Sequence, residues 1–140
     1  MIHHILLVDD NEMDNFIAEH LLTKEHIGEK ITIKTSAKAA LDYLDELHVN
    51  GQPFPEIILL DLNMPLMSGF EFLTYFSLYS KEAVKDCGVF ILSSSPDTKD
   101  IHKAKRFRYV KEYFIKPLTS DKMNQIAEFG ASVGSAGKKP

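Results

Sequence analysis

The sequence has no tryptophan and a single cysteine, Cys87, in 140 residues. One thiol excludes an internal disulfide framework, so Cys87 reads as a small core hydrophobe in a reducing compartment. The N-terminal apolar run is far too short to span a bilayer. It ends at Val8 and meets Asp9 and Asp10 directly, where a secretory signal would continue with small residues toward a cleavage site. Cytoplasmic residence is the resulting expectation. Glycine is sparse, and Gly28, Gly51 and Gly69 form neither a dinucleotide fingerprint nor a Walker loop. His3, His4, His20, His26, His48 and His102 are scattered without a short metal-ligand motif. A net charge of −4, with no helix-turn-helix, zinc array or aromatic stacking platform in view, argues against nucleic-acid binding.

What is present is enough for a core. The chain is 44% apolar with nine Phe and 26% charged, and its length suits one domain of ordinary size. Residues 1–129 read as that domain. The end, Gly130 to Pro140, is rich in small residues and reads as a flexible tail.

Short runs rich in Ile, Val, Leu and Phe predict strands at Ile5–Val8, Ile31–Thr35, Glu56–Leu60, Val89–Leu92 and Tyr113–Ile115. Ile57-Ile58-Leu59-Leu60 has no polar alternation, which predicts strands covered on both faces. Between them lie five helical patterns. Phe16, Ile17, Leu21 and Leu22 form the first stripe; Ala37, Ala40, Leu41, Leu44 and Leu47 the second; Phe70, Leu73, Phe76 and Leu78 the third. Ile101, Ala104 and Phe107 suggest a fourth, and Met123, Ile126 and Phe129 a short fifth. Ser68 stands three residues before Glu71, a capping-box spacing; Ser36 and Ser95-Pro96 offer caps for the second and fourth helices, and Thr119 or Ser120 for the last. Strands alternating with helices specify an α/β, doubly wound, five-stranded parallel sheet. With strand order 2-1-3-4-5, the topological reversal, and hence the site, falls at the carboxyl ends of strands 1 and 3.

Chemistry-bearing residues follow those strands. Asp9 and Asp10 come directly after the first strand and Asp61 after the third. Any one could serve as a helix cap, but three converging carboxylates repel one another unless a cation neutralises them. Oxygen ligands with room for water suit Mg²⁺, with Mn²⁺ as the alternative ion. Ser93 follows the fourth strand and Lys116 the fifth, adding a hydroxyl donor and a compact positive charge for a phosphoryl anion. Asp61 lies between the acidic pair and the Ser93/Lys116 pair in strand order, so it is the best nucleophile. Attack by its carboxylate on a phosphoryl donor would form an acyl phosphate, with the metal and Lys116 offsetting charge. An ionised carboxylate has no proton to lose, so no general base is needed.

The ordered motifs Val8-Asp9-Asp10-Asn11, Leu60-Asp61-Leu62-Asn63-Met64-Pro65-Leu66-Met67-Ser68-Gly69, Leu92-Ser93-Ser94 and Tyr113-Phe114-Ile115-Lys116-Pro117-Leu118 closely resemble those of response-regulator receiver domains of two-component phosphorelays. The resemblance covers about residues 3–129 and implies the flavodoxin-like receiver architecture. It implies Asp61 as phosphoacceptor and a divalent-cation site of Asp9, Asp10, Asp61 and the backbone carbonyl of Asn63. Ser93 and Lys116 match the phosphoryl-binding hydroxyl and lysine, Ser93 and Tyr113 the switch pair, and Asn63 and Ser95 the positions that tune phosphoryl lifetime. Ser94 is adjacent to Ser93, and a slip of one residue would exchange their roles; the four-residue run ending at Leu92 favours Ser93. The implied donor is a phosphohistidine on a sensor histidine kinase or histidine phosphotransfer protein. The implied output is a surface of the fourth helix, fifth strand and fifth helix, read by a downstream protein. The domain would assist its own phosphorylation and dephosphorylation without being a turnover enzyme.

One departure from the family pattern is Phe107 to Glu112, bulky where a small turn is common. Lys99 to Lys116 carries seven Lys/Arg against two Asp/Glu, which reads first as a solvated helix face and second as a basic docking surface. Met64 and Met67 read as packing beneath the loop after Asp61. Two other readings stand beside the phosphorelay one. A small Mg²⁺-dependent phosphohydrolase with an aspartyl nucleophile would need a substrate cap or a second placed acid. A receiver-like interaction module that no longer phosphorylates is disfavoured by retention of all five site groups. With no output sequence in view, a single-domain regulator, a phosphate shuttle and a fragment of a longer protein share the same site.

Overall fold

The four consecutive apolar residues of β3 (Ile57–Leu60) are all buried, Ile57 and Leu59 in one hydrophobic cluster and Ile58 and Leu60 in the other. Alternate side chains point to opposite faces of a strand, so a run without polar alternation must be covered on both sides. The same division holds in β1 (His4–Val8), where Ile5 and Leu7 separate from Leu6 and Val8, and in β4 (Gly88–Ser93), where Phe90 and Leu92 separate from Val89 and Ile91. With β2 (Lys30–Lys34) and β5 (Val110–Ile115) at the edges, the parallel sheet has the order β2-β1-β3-β4-β5. This is the doubly wound order expected from the alternation of strands and helices. The computed structural model describes residues 2–137.

The described residues form six helices: α1 (Glu12–Lys24), α2 (Ala37–Val49), α3 (Gly69–Phe76), α4 (Lys81–Val84), α5 (Thr98–Lys105) and α6 (Ser120–Gly137). One face of the sheet packs on Ala40 and Leu44 of α2, Phe72 and Phe76 of α3 and Ala104 of α5. The other packs on Ala18 and Leu22 of α1 and Met123 and Ile126 of α6. The Ser68–Glu71 capping box forms in full, Ser36 caps α2, and Thr119 Oγ1 accepts from Lys122 N at the start of α6. Cys87 is buried, and Met64 and Met67 pack on the core as expected. Among the described residues no helix is long and apolar enough to cross a membrane.

Several local expectations need correction. The buried positions of α1 are Asn15, Ala18 and Leu22, while Phe16 and Ile17 are 65% and 44% exposed. The arc that faces the sheet carries a polar anchor: Asn15 Nδ2 donates to the Asp9 carbonyl in a buried bond beside Ala18 and Leu22. Leu78 is exposed because α3 ends at Phe76, two residues before it. The cap of α5 is Asp97 rather than Ser95, whose hydroxyl is committed to Asp100. α4, four residues long, is too short to leave a periodic signal.

The fifth strand starts three residues before its expected beginning. A bulge between Val89 and Phe90 in the β4–β5 pairing absorbs the extra residue, and Tyr109 packs edge-on to Phe76 at 5.4 Å. The bulky Phe107–Glu112 segment is therefore used in packing. The basic residues around it are largely occupied too: Lys103 lies over Phe70, Arg108 over Tyr109 and Lys111 over Phe129, while Lys105 pairs with Glu112. At the C-terminus, the boundary expected after Phe129 falls inside α6, and Gly130 is buried so closely against Ile2 that a Cβ there would collide with it. Residues 138–140 of the expected tail lie outside the described residues.

Candidate functional site

Val8 is level with Leu60 in the β1–β3 pairing, so Asp9 and Asp61, the next residue on each chain, emerge together at the carboxyl edge. The ladder is carried one step further by Asp61 N–H donating to the Val8 carbonyl at 2.9 Å. Asp10 joins them, and one carboxylate oxygen from each of Asp9, Asp10 and Asp61 lies within 4.8 Å of the others. Asp9 and Asp61 are buried and Asp10 is exposed. Asp9 is held in place from two directions, by Asn11 N–H on its carboxylate at 2.9 Å and by Asn15 on its carbonyl at 2.8 Å.

Asp61 has an unusual electrostatic setting. Burial first, and then the neighbouring Asp9 charge, push its pKa up to about 6, against the opposing pull of Lys116 and of the Asn63 N–H that donates to its carboxylate. The loop bearing Asn63 closes by Gly69 N–H donating to the Leu62 carbonyl at 2.9 Å. Any side chain at Gly69 would strike the Asp61 carbonyl oxygen and come within 2.8 Å of Leu62 Cα, so this close return of the chain requires glycine.

Lys116 follows β5, and its N–H donates to the Ser93 carbonyl at 2.8 Å, which ties the tips of β4 and β5 together. Its ammonium reaches across the crevice to Asp9 Oδ2 at 2.8 Å, Asp14 Oδ2 at 2.7 Å and Asp61 Oδ1 at 3.8 Å. Burial alone would lower the Lys116 pKa, but the hydrogen bonds to Asp14 and Asp9 and the Asp61 charge outweigh it and raise it to about 12. One ammonium therefore faces four carboxylates, counting Asp10. That surplus of negative charge on oxygen ligands, with Asp61 already resisting ionisation, fits a hard divalent cation.

Ser93 is the last residue of β4 and is fully buried, its Oγ accepting from Ser95 N–H at 3.1 Å. Ser94 is exposed. Tyr113 lies opposite Ile91 in the β4–β5 pairing, is buried, and donates its hydroxyl to the Ser95 carbonyl at 2.8 Å. Ser95 Oγ in turn donates to Asp100 of α5 at 2.8 Å. Ser95 thus joins the Ser93 hydroxyl, the Tyr113 ring and the first turn of α5 in one chain of contacts. A hollow of about 450 Å³ lined by His48, Phe54, Lys85 and Cys87 sits at the opposite, amino ends of β3 and β4 and takes no part.

Sequence reasoning brought together Asp9, Asp10, Asp61, Ser93 and Lys116 but missed Asp14 and Asn15. Asp14 reads as an ordinary first-turn acid on a helix, and no spacing in the sequence directs it toward Lys116. Asn15 looks like a polar surface residue until the rotation of α1 is known.

The family model for the response regulator receiver domain matches residues 5–128. The chain is 30% identical over 124 residues to the probable methanogenesis regulatory protein FilR2 of Methanothrix harundinacea, covering 89% of this chain and 78% of that protein. A two-component response regulator from Cytophaga hutchinsonii superposes with a TM-score of 0.86 at 34% identity, covering 94% of this chain and 98% of that one. The Mn²⁺-bound form of response regulator Rcp1 superposes with a TM-score of 0.70 at 25% identity, covering 92% and 90%.

Proposed function

The chain belongs to the response regulator receiver domain family of two-component systems, and from that premise we propose that it accepts a phosphoryl group on Asp61 in a divalent-cation-dependent reaction. The observation that carries this reading is the convergence of Asp9, Asp10 and Asp61 within one ligand-sized space beside Lys116. Asp9, Asp10, Asp61 and the Asn63 carbonyl would hold Mg²⁺ or Mn²⁺, which supplies charge neutralisation and alignment of oxygens when bound. Asp61 attacks the phosphorus of a phosphohistidine on a sensor histidine kinase or phosphotransfer protein, the P–N bond breaks, and the imidazole leaves. Lys116 binds the transferred group, and the Ser93 hydroxyl turns to donate to it. Hydrolysis later returns the carboxylate, so the domain is a phosphoacceptor that assists both steps, with Asn63 and Ser95 as the residues that tune the lifetime of the acyl phosphate. The test is intact-mass measurement after incubation with Mg²⁺ and acetyl phosphate. One adduct of about 80 Da, mapped to an acyl phosphate on Asp61, supports the reading, and modification elsewhere with Asp61 untouched overturns it.

The metal assignment has its own test. Asp10→Asn removes one charge and replaces a carboxylate oxygen with a weaker, neutral amide oxygen at an exposed position, so Mg²⁺ affinity should fall by roughly tenfold or more with the fold intact. Titration calorimetry reads this directly; a folded variant with wild-type affinity would remove Asp10 from the ligand set.

The output of the site is a surface formed by α5, β5 and α6. A new dianion that captures Ser93 withdraws its hydroxyl from the Ser95 N–H, and Ser95 is also what holds the Tyr113 hydroxyl. Two packings of the loop between β4 and α5 are thereby biased, and a downstream protein reads the difference. Ser93→Ala and Tyr113→Ala should each reduce phosphorylation-induced NMR shift changes across α5 and β5 at matched phosphorylation of Asp61. Wild-type shift changes in both variants would disprove the route.

A further inference from the structure

Lys116 is nearer to Asp14 than to the nucleophile. The ammonium lies 2.7 Å from Asp14 Oδ2 and 3.8 Å from Asp61 Oδ1, with Asp9 Oδ2 at 2.8 Å. Its three N–H bonds are directional donors, and the two short contacts use two of them. The main chain that carries Asp14 is held in place, its backbone N–H bonded at 2.9 Å to Oδ1 of Asn11, the N-cap of α1. The rest of that turn is anchored by the bond from Asn15 to Asp9. The carboxylate is therefore a counter-charge carried by an anchored backbone on the α1 side of the crevice, outside the Asp9/Asp10/Asp61 set.

We infer that Asp14 is a positioning residue that holds the Lys116 ammonium on the α1 side and competes for it with the phosphoryl group entering at Asp61. The inference rests on the phosphoacceptor reading of Asp61. With Asp9 engaged as a metal ligand, Asp14 would be the lysine's remaining short partner. Phosphoryl transfer needs an N–H of Lys116 on a transferring oxygen at Asp61, and the ammonium, drawn to 2.7 Å from Asp14 and standing 3.8 Å from Asp61, has to move away from Asp14 to place one there. Asp14 thus restrains the forward reaction until the phosphoryl group, carrying about −1.5 to −2 charges, outbids a single carboxylate. Both ends of this exchange are local: no bond to Asp14 is made or broken covalently, and no proton changes hands.

Asp14→Asn keeps the size of the side chain and removes its charge. With acetyl phosphate and saturating Mg²⁺, its rate of Asp61 phosphorylation, followed by intact mass, should rise roughly two- to fivefold, the scale of one partly exposed ion pair. Asp14→Glu, which retains the charge on a longer arm, should return toward the wild-type rate. Loss of one negative charge could by itself draw an anionic donor closer, so the effect is also measured on Lys116→Ala. Acting through the lysine, Asp14→Asn has no effect on that background; acting through net charge, it speeds both backgrounds equally and the inference fails. The Lys116 ¹⁵Nζ resonance of the unphosphorylated protein supplies a readout apart from turnover, shifting in Asp14→Asn and not in Asp14→Glu. A wild type that phosphorylates on Asp61 while Asp14→Asn is no faster overturns the inference alone. A wild type that never modifies Asp61 overturns the functional reading and the competition with it.

Discussion

Asp61→Asn is expected to abolish the phosphoryl adduct and, with divalent cations chelated, to make the folded protein more stable than wild type at pH 8. The loss of the adduct follows from chemistry, since an amide offers no carboxylate to attack phosphorus. The gain in stability follows from linkage. Asp61 has an ordinary pKa of 3.8 when unfolded and about 6 when folded, so folding favours its protonated form. Its ionisation costs nothing below the unfolded value, begins to cost as pH rises past 4, and costs its full amount above the folded value. Two pKa units correspond to about 3 kcal/mol; with solvent screening at the rim of the crevice, roughly 1–3 kcal/mol is expected. Urea denaturation in chelator at pH 8 should show that gain, and it should shrink toward zero below pH 4. Mg²⁺ should narrow it from the other side, by binding the folded wild type more tightly than the variant. An Asp61→Asn protein that still acquires an acyl phosphate, or that is less stable than wild type across this range, would contradict the assignment.

The fold was legible because its signals are redundant. Unbroken apolar runs such as Ile57–Leu60 mark doubly covered strands, and Ser36 and the Ser68/Glu71 pair mark helix starts; all of these are local properties. The acidic cluster was legible for a related reason: a residue that directly follows a parallel strand lies at the carboxyl edge whatever the details of packing. What could not be read was rotation and reach. Phe16 and Ile17 have the stronger apolar pattern, yet α1 buries Asn15, Ala18 and Leu22, with Asn15 bonded to the Asp9 carbonyl, and leaves them facing outward. Asp14 enters the site through the extended arm of Lys116, a contact between residues 102 positions apart that no spacing rule contains. Ser95 belongs with them. Its link to Tyr113 runs through a backbone carbonyl, which every residue has, so nothing in the residue's identity reveals it.

Lys116→Ala should be the more damaging change to the site as a whole. Lys116 is the cation that bridges Asp9, Asp14 and Asp61, and its side chain is 19% exposed, against 10% for Asp9 and 7% for Asp61. Removing it leaves buried carboxylates facing one another without compensation. Breaking a buried pair by deleting one partner costs about 3–5 kcal/mol, and the partial exposure of Asp14 brings the expectation to roughly 2–4 kcal/mol. Its ordinary pKa of 10.5 is raised to about 12 in the folded state. The part of its contribution that depends on charge is therefore fully present below pH 10.5 and fades as pH rises through 12. At neutral pH the loss is complete and should appear as a lower urea midpoint in chelator. Adding Mg²⁺ should restore much of the lost stability, because the ion neutralises the same oxygens. Phosphorylation should stay depressed by roughly 100-fold or more, because a cation held by the carboxylates would not supply the N–H that Lys116 is proposed to place on the transferring group. That split separates the two roles proposed for Lys116. If Mg²⁺ rescued phosphorylation along with stability, the lysine would be a counter-charge for the carboxylates and nothing more, and phosphoryl binding would belong to other groups.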